Sequence, residues 1–202
     1  MNIVEAFIKK KNGLIIYISG LNNSGKSILA DNISKDFNIK KINLFDYFNI
    51  DDQSNLNYIN LPNNENVLDW YSFDLIKWNK VNDDISKYIK NGIIVSGYIF
   101  PKEHIKHTCD FHIHLKINKE NLKKSIFDNI DKIDFLNKIN INDENNINFL
   151  VNKIIYTKYL HNLKNISMNI DKFINIDSMD NDDVYDVTFD FIIEKIKKYL
   201  YK

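Results

Sequence analysis

Arginine is absent from this chain: all 27 positive side chains are lysine, set against 27 acidic ones, for a formal net charge of zero. A balanced chain carries no bulk field to hold nucleic acid or an anionic membrane, so any anion site has to be local. Without arginine there is also no planar fork to grip phosphate at two points, and lysine's point charge must serve. One cysteine, Cys109, excludes an internal disulfide and fits a reducing compartment. No apolar run approaches the roughly 18 residues of a membrane span. The stretch Met1 to Lys11 lacks a continuous apolar core followed by a small-residue cleavage site. These lacks predict a soluble, cytoplasmic protein with neither a membrane nor a nucleic-acid partner, and leave monomer or homo-oligomer undecided. The abundance of Asn, Ile and Lys reads as coding bias rather than chemistry.

What is present is enough apolar residue, 44% of 202, to bury one sizeable core, so residues 1–202 are expected to form a single domain with at most a small lid. Short apolar runs alternate with longer helical patterns, which predicts an α/β fold with a five-stranded parallel sheet covered by helices. The expected strands are Leu14 to Ser19, Ile39 to Leu44, Ile93 to Ser96, Phe111 to Ile117 and Phe173 to Ile176. The expected helices are Lys26 to Phe37, Trp70 to Lys90, Lys119 to Ile130, Ile147 to Leu163 and Val184 to Leu200, whose apolar stripes read as core-facing. Asn49 to Asn66 and Asp131 to Asn146 are irregular and are read as a substrate-side loop and a lid segment, the lid covering roughly 123–146.

Two of the five glycines fall in Gly20-Leu21-Asn22-Asn23-Ser24-Gly25-Lys26-Ser27, between an expected strand and an expected helix that opens through Ile28. That is a phosphate-binding loop in its required context: glycines let the backbone wrap an anion, and the loop N–H groups and helix N-terminus point at phosphate oxygens. Lys26 is expected to reach the β/γ-phosphates with its stem on the solvent side of the loop, and Ser27 can ligate Mg²⁺. Nucleotide contacts are therefore assigned to Gly20, Asn22, Asn23, Ser24, Gly25, Lys26, Ser27 and Ile28. Asp46 lies just past the second strand, at the sheet edge where the phosphates would sit. A carboxylate there can accept the hydroxyl proton or position the nucleophile in phosphoryl transfer; a turn or cap role is the alternative.

In these residues the chain resembles the nicotinamide riboside kinase and uridine kinase family of phosphate-loop kinases. The segment Ile18 to Ala30 looks like that family's opening, Asp46-Tyr47-Phe48 like its catalytic aspartate segment, and Asp69-Trp70-Tyr71-Ser72-Phe73-Asp74 like its nucleoside-binding segment. Ile93 to Phe100 is similar to its third strand and turn, Leu122-Lys123-Lys124 to its basic lid start, and Tyr156 to Leu160 to its late helix. The resemblance implies a three-layer α/β/α kinase that transfers the γ-phosphoryl group of ATP, or another NTP, with Mg²⁺, to the 5′-hydroxyl of a nucleoside-like small molecule. It implies Asp46 as base with Lys26 also catalytic, Lys123 and Lys124 at the phosphates, Ser27 and Asp46 at the metal, and Phe48, Asp69, Trp70, Tyr71 and Asp74 with Asp46 at the acceptor. Three features depart from the pattern. Ser96 stands where the family carries a glutamate, Tyr71 where an aspartate grips the ribose, and lysines replace the lid arginines. The departures support an alternative: a degenerate nucleotide-binding module without efficient transfer.

Trp70 and Tyr71 could stack on a base or pyridine ring, with core packing as the competing role. Lys123 and Lys124 could equally form a solvated helix face. The run from His104 through His107, Cys109, His112 and His114 invites a zinc reading. It reads better as a packed or solvent-facing run, because His112 and His114 alternate along a strand and share one face.

Overall fold

The structure, a computed structural model, describes residues 2–50, 56–128, 144–166 and 170–202. Its centre is β1 (Ile15–Gly20), which is buried throughout. It pairs in parallel with β5 (Ile93–Gly97) on one side and β6 (Phe111–Lys116) on the other. β2 (Lys40–Asn43) completes the sheet beyond β5, and β7 (Lys172–Asn175) beyond β6, giving the order β2-β5-β1-β6-β7 with every pairing parallel. The strands read as nearly continuous apolar runs because helices cover both faces of a parallel sheet. The expected five-stranded α/β sheet is therefore the one observed, with ends shifted by at most one residue.

One face carries α1 (Ile3–Lys11), α2 (Lys26–Phe37) and α7 (Asn181–Leu200), packed on Ile16, Ile18, Ile94, Ile113 and Leu115. The other carries α3 (Trp78–Tyr88) on Ile15, Tyr17, Ile93 and Val95. Beside it lies a second apolar cluster holding Leu122 and Ile126 of α4 (Lys119–Asp128), Ile147 of α5 (Glu144–Phe149) and Tyr159 of α6 (Tyr156–Ile166). Helix α1 had no sequence expectation; a capping box in which Asn2 and Glu5 bond each other's backbone starts it.

The expected helix from Trp70 to Lys90 begins only at Trp78. Its first eight residues spend their backbone groups elsewhere: Asn49 donates to the Leu75 carbonyl at 2.7 Å, Lys77 to that of Tyr47 at 2.9 Å, and Ser72 caps a 3₁₀ turn over Phe73–Leu75. The expected irregular loop Asn49 to Asn66 holds an antiparallel hairpin, β3 (Tyr58–Asn60) with β4 (Asn66–Leu68), while residues 51–55 lie outside the described set. The helix expected over Ile147 to Leu163 is interrupted by a π segment at Leu150–Ile155, which rotates the helix to bury Leu150, Val151 and Ile155 together. Most of the expected lid, residues 129–143, is outside the described residues. Among the described residues no helix is long and apolar enough to cross a membrane.

Candidate functional site

The chain leaves the central strand at Gly20 and turns tightly into α2. A Cβ at Gly20 would sit 2.8 Å from the Leu115 carbonyl and 2.8 Å from Ser24 Oγ, so only glycine lets the loop pass that close to β6. Gly25 takes φ 77°, a left-handed value, and starts α2 with no capping side chain. The first turn of α2 therefore opens onto a cleft of about 560 Å³ lined by Asn23, Ser24, Gly25, Lys26, Ser27 and Ile28. An uncapped helix N-terminus offers backbone N–H groups and positive dipole to an anion. Asn22 Oδ1 and Ser24 Oγ are buried in the loop without a hydrogen-bond partner, so polar capacity remains for a ligand.

Sequence reasoning missed the far wall of this cleft, which is Ile117, Ile176, Met179, Asn181 and Val184, with Ser125 from α4. Ile117 and Ile176 follow the carboxyl ends of β6 and β7, where ligands of parallel sheets bind, so topology could have marked them. Nothing local marks Asn181, whose Oδ1 lies 3.1 Å from where a Gly25 Cβ would be. Isoleucine, methionine and valine make this wall apolar, as the walls of small-molecule clefts commonly are.

Lys26 differs from expectation. Its side chain is buried, not solvent-side: Nζ donates to the Leu21 carbonyl at 3.1 Å and lies 5.9 Å from the centre of the Phe45 ring. Burial lowers its pKa to about 8. Ser27 stands at the head of α2 on the cleft wall, as expected. Lys123 and Lys124 are not in that wall: Lys123 pairs with Glu120 of its own helix at 3.7 Å and Lys124 is exposed. The contact that does join α4 to the loop is Asn23 Nδ2 donating to the Ser125 carbonyl at 3.3 Å.

On the other side of the loop lie the residues expected at the acceptor. Asp46 sits in a 3₁₀ turn, Leu44–Tyr47, directly beyond β2, and is exposed. Phe48 stacks on Trp70, ring centres 5.7 Å apart and planes 25° from parallel. Their slot, shared with Asn22, Phe45, Tyr71 and Tyr98, has a free volume of only about 10 Å³, room for one water. Tyr71 is buried with its hydroxyl against the Asn22 backbone N–H, so it packs under the loop Gly20–Ser27. Asp69 is also buried; it forms an ion pair with Lys158 of α6 and accepts from the Tyr71 N–H at 3.2 Å. Asp69, Tyr71 and Asp74 line an open groove of about 730 Å³ together with Lys158, His161 and Asn162. The structure thus divides Phe48, Asp69, Trp70, Tyr71 and Asp74 between a tight aromatic slot and this wider polar groove, and leaves Asp46 outside the walls of both.

Ser96, next to last in β5, lies beside Asn43, fully buried, its Oγ without a partner. The histidine run holds no metal cluster; among the described residues no group of three ligating side chains converges. His104 stacks on Trp78, and His112 and His114 share one face as expected, both bonded to Ser19 Oγ at 2.7 Å. Cys109 is a free thiol pushed up to about 12 by burial.

No protein-family model and no curated protein sequence matches this chain. Solved structures do superpose on it. Shikimate kinase from Bacteroides thetaiotaomicron covers 94% of this chain over 99% of its own, at 11% identity and TM-score 0.47. Thymidylate kinase from Candida albicans covers 89% over 91% of its own, at 13% and 0.49, and a possible uridine kinase from Bacillus stearothermophilus covers 85% over 97%, at 12% and 0.47. The functional reading rests on the site's own geometry.

Proposed function

We propose that the protein is a small-molecule kinase that transfers the γ-phosphoryl group of ATP, or of another nucleoside triphosphate, to a hydroxyl of a nucleoside-like acceptor. The observation that carries this reading is the placement of one anion cradle between two unlike sites. A cleft with apolar walls opens on one side of Gly20–Ser27. On the other, Asn22 of the loop lines an aromatic slot with Phe45, next to Asp46, and with Tyr71, which carries the wall on into a groove with Asp69 and Asp74. A loop that only bound a nucleotide would need the first alone.

In this reading the N–H groups at the head of α2 hold the phosphate charge, and the apolar wall of Ile117, Ile176 and Val184 takes the base. Lys26 exchanges the Leu21 carbonyl for phosphate oxygens, trading a neutral acceptor for an anionic one. Asp46 takes the acceptor's proton as the new O–P bond forms and the bond to the leaving diphosphate breaks. Mg²⁺ fits as an ion that keeps its waters and arrives with the phosphates, since the cradle offers it the Ser27 hydroxyl and, among the described residues, no converging carboxylate set. Bound there, it would neutralise charge on the transferring group.

Incubation with ATP, Mg²⁺ and a panel of nucleosides and ribosylated pyridines, read as ADP release and acceptor mass, tests the proposal. A phosphorylated acceptor whose formation is lost in Asp46→Asn supports it. ATP binding with no transfer to any hydroxyl acceptor would leave a nucleotide-binding module.

A further inference from the structure

Directly beneath the phosphate loop, on the strand face turned away from α2, four buried polar side chains form one chain. His112 Nε2 lies 2.7 Å from Ser19 Oγ, Ser19 Oγ 2.7 Å from His114 Nδ1, and His114 Nε2 2.8 Å from the Tyr159 hydroxyl. All four residues are at most 2% exposed. Ser19 is the residue from which Gly20 and the loop spring. Tyr159 lies on α6, one residue after the Lys158 that holds Asp69 in the polar groove. The chain therefore joins the root of the nucleotide loop to the helix that walls the opposite site.

Proton counting restricts what it can be. Ser19 has one O–H, so it can donate to one histidine and must accept from the other if neither contact is to be left unmade. If it donates to His112 Nε2, it accepts from His114 Nδ1–H, and both neutral rings carry their proton on Nδ1. If it donates to His114 Nδ1, both carry it on Nε2. Mixed tautomers would bury either an O–H without an acceptor or a nitrogen lone pair without a donor. The far end chooses between the two matched states. A phenol donates better than it accepts, and imidazole nitrogen accepts better than phenol oxygen, so Tyr159 O–H donates to His114 Nε2 and sets the direction of the whole chain. Burial, with His112, Lys116 and Lys26 adding, pushes His114 down to about 3, so this ring stays neutral at neutral pH.

We propose that Tyr159 is a positioning residue for the phosphate loop: through His114 and Ser19 it holds both buried histidines in the Nδ1–H tautomer and ties α6 to the root of the loop. This rests on the reading of Gly20–Ser27 as a nucleotide site. Its test begins with the wild-type protein without nucleotide, labelled with ¹⁵N-histidine, at pH 7.5. His112 and His114 should both show a pyridine-like Nε2; mixed tautomers, or Nε2–H on both, overturn the relay. Tyr159→Phe keeps the ring stacked on His114, centres 5.7 Å apart and planes 13° from parallel, and removes only the hydroxyl. It should weaken binding of Mg·ATP, measured by calorimetry, by about three- to ten-fold. In a Ser19→Ala background the same change should cost less than about two-fold, because the link is already cut. Tyr156→Phe, on the same helix, should leave ATP affinity unchanged. A Tyr159→Phe protein that melts lower yet binds ATP like wild type, or effects that add fully with Ser19→Ala, would show a merely structural contact and overturn the role. Wild-type protein that binds no ATP overturns the nucleotide site and the positioning role with it, whereas ATP binding with mixed tautomers overturns the relay alone.

Discussion

Lys26 donates to the carbonyl of Leu21, five residues before it in the same loop, and is nearly sealed from solvent while it does so. The cation that should meet phosphate is held by the loop's own backbone, in a place that disfavours its charge. That arrangement has a consequence in pH. Burial lowers the folded-state pKa to about 8 from an ordinary value near 10.5. Between those values the unfolded chain holds a proton that the folded one has released, so stability of the protein without nucleotide should rise with pH from 8 to 10.5. Nucleotide affinity should move the opposite way, because phosphate selects the protonated amine. Calorimetric titration with Mg·ATP from pH 7 to 9.5 should show weakening above about pH 8, and Lys26→Met should bind weakly at every pH with no such inflection.

Asp46 is exposed at the carboxyl edge of β2 and belongs to a four-residue turn that Asn43 already caps through Phe45 N–H. Asp46→Asn keeps the shape and removes the proton acceptor. The expected result is a kcat lower by about 10² to 10⁴ with ATP affinity within about three-fold of wild type. Transfer at the wild-type rate would reduce Asp46 to a turn residue.

The carboxyl of Asp69 is buried while its partner Lys158 is 41% exposed along its side chain. Lys158→Met strands a buried carboxylate and should cost about 1 to 3 kcal/mol, less than a fully buried pair because solvent reaches the lysine end. Asp69→Asn together with Lys158→Met should recover part of that loss. Urea unfolding of the three proteins measures it; equal loss in the single and double variants would show that the pair is not what holds the helix to Asp69.

At Ser96 a hydroxyl without a partner occupies the end of β5 that faces α2. Ser96→Asp places a carboxylate there, which should lower the melting temperature in EDTA by the cost of burying an unpaired charge. Mg²⁺ with ATP should restore part of it and shift the Mg²⁺ midpoint for activity downward. A variant whose Mg²⁺ midpoint matches wild type would place the metal away from β5.

The strands, the tight path of the loop Gly20–Ser27 and the place of Asp46 just beyond β2 were legible in the chain because each depends on residues adjacent in sequence. Apolar runs such as Leu14 to Ile18 make strands wherever they fall, and Gly20 and Gly25 allow a backbone path that other residues resist. The apolar period of Phe73, Ile76, Val81 and Ile85 was legible too, yet it misled over the first eight residues. Tertiary bonds to Tyr47 and Asn49 outbid one more helical turn there.

What only the tertiary structure decided is which distant groups meet. The sequence marks Ser19, His112, His114 and Tyr159 as small polar or aromatic residues spread over 140 positions; the parallel register of β1 with β6 and the packing of α6 turn them into one hydrogen-bonded chain. Likewise no local pattern told that Asp69 would face Lys158, that Asn181 would lean over Gly25, or that Lys26 would turn inward. Local propensity specifies backbone shape over a few residues, whereas charge pairing, burial and proton placement depend on neighbours supplied by folding, and the chemistry of this site lies in those neighbours.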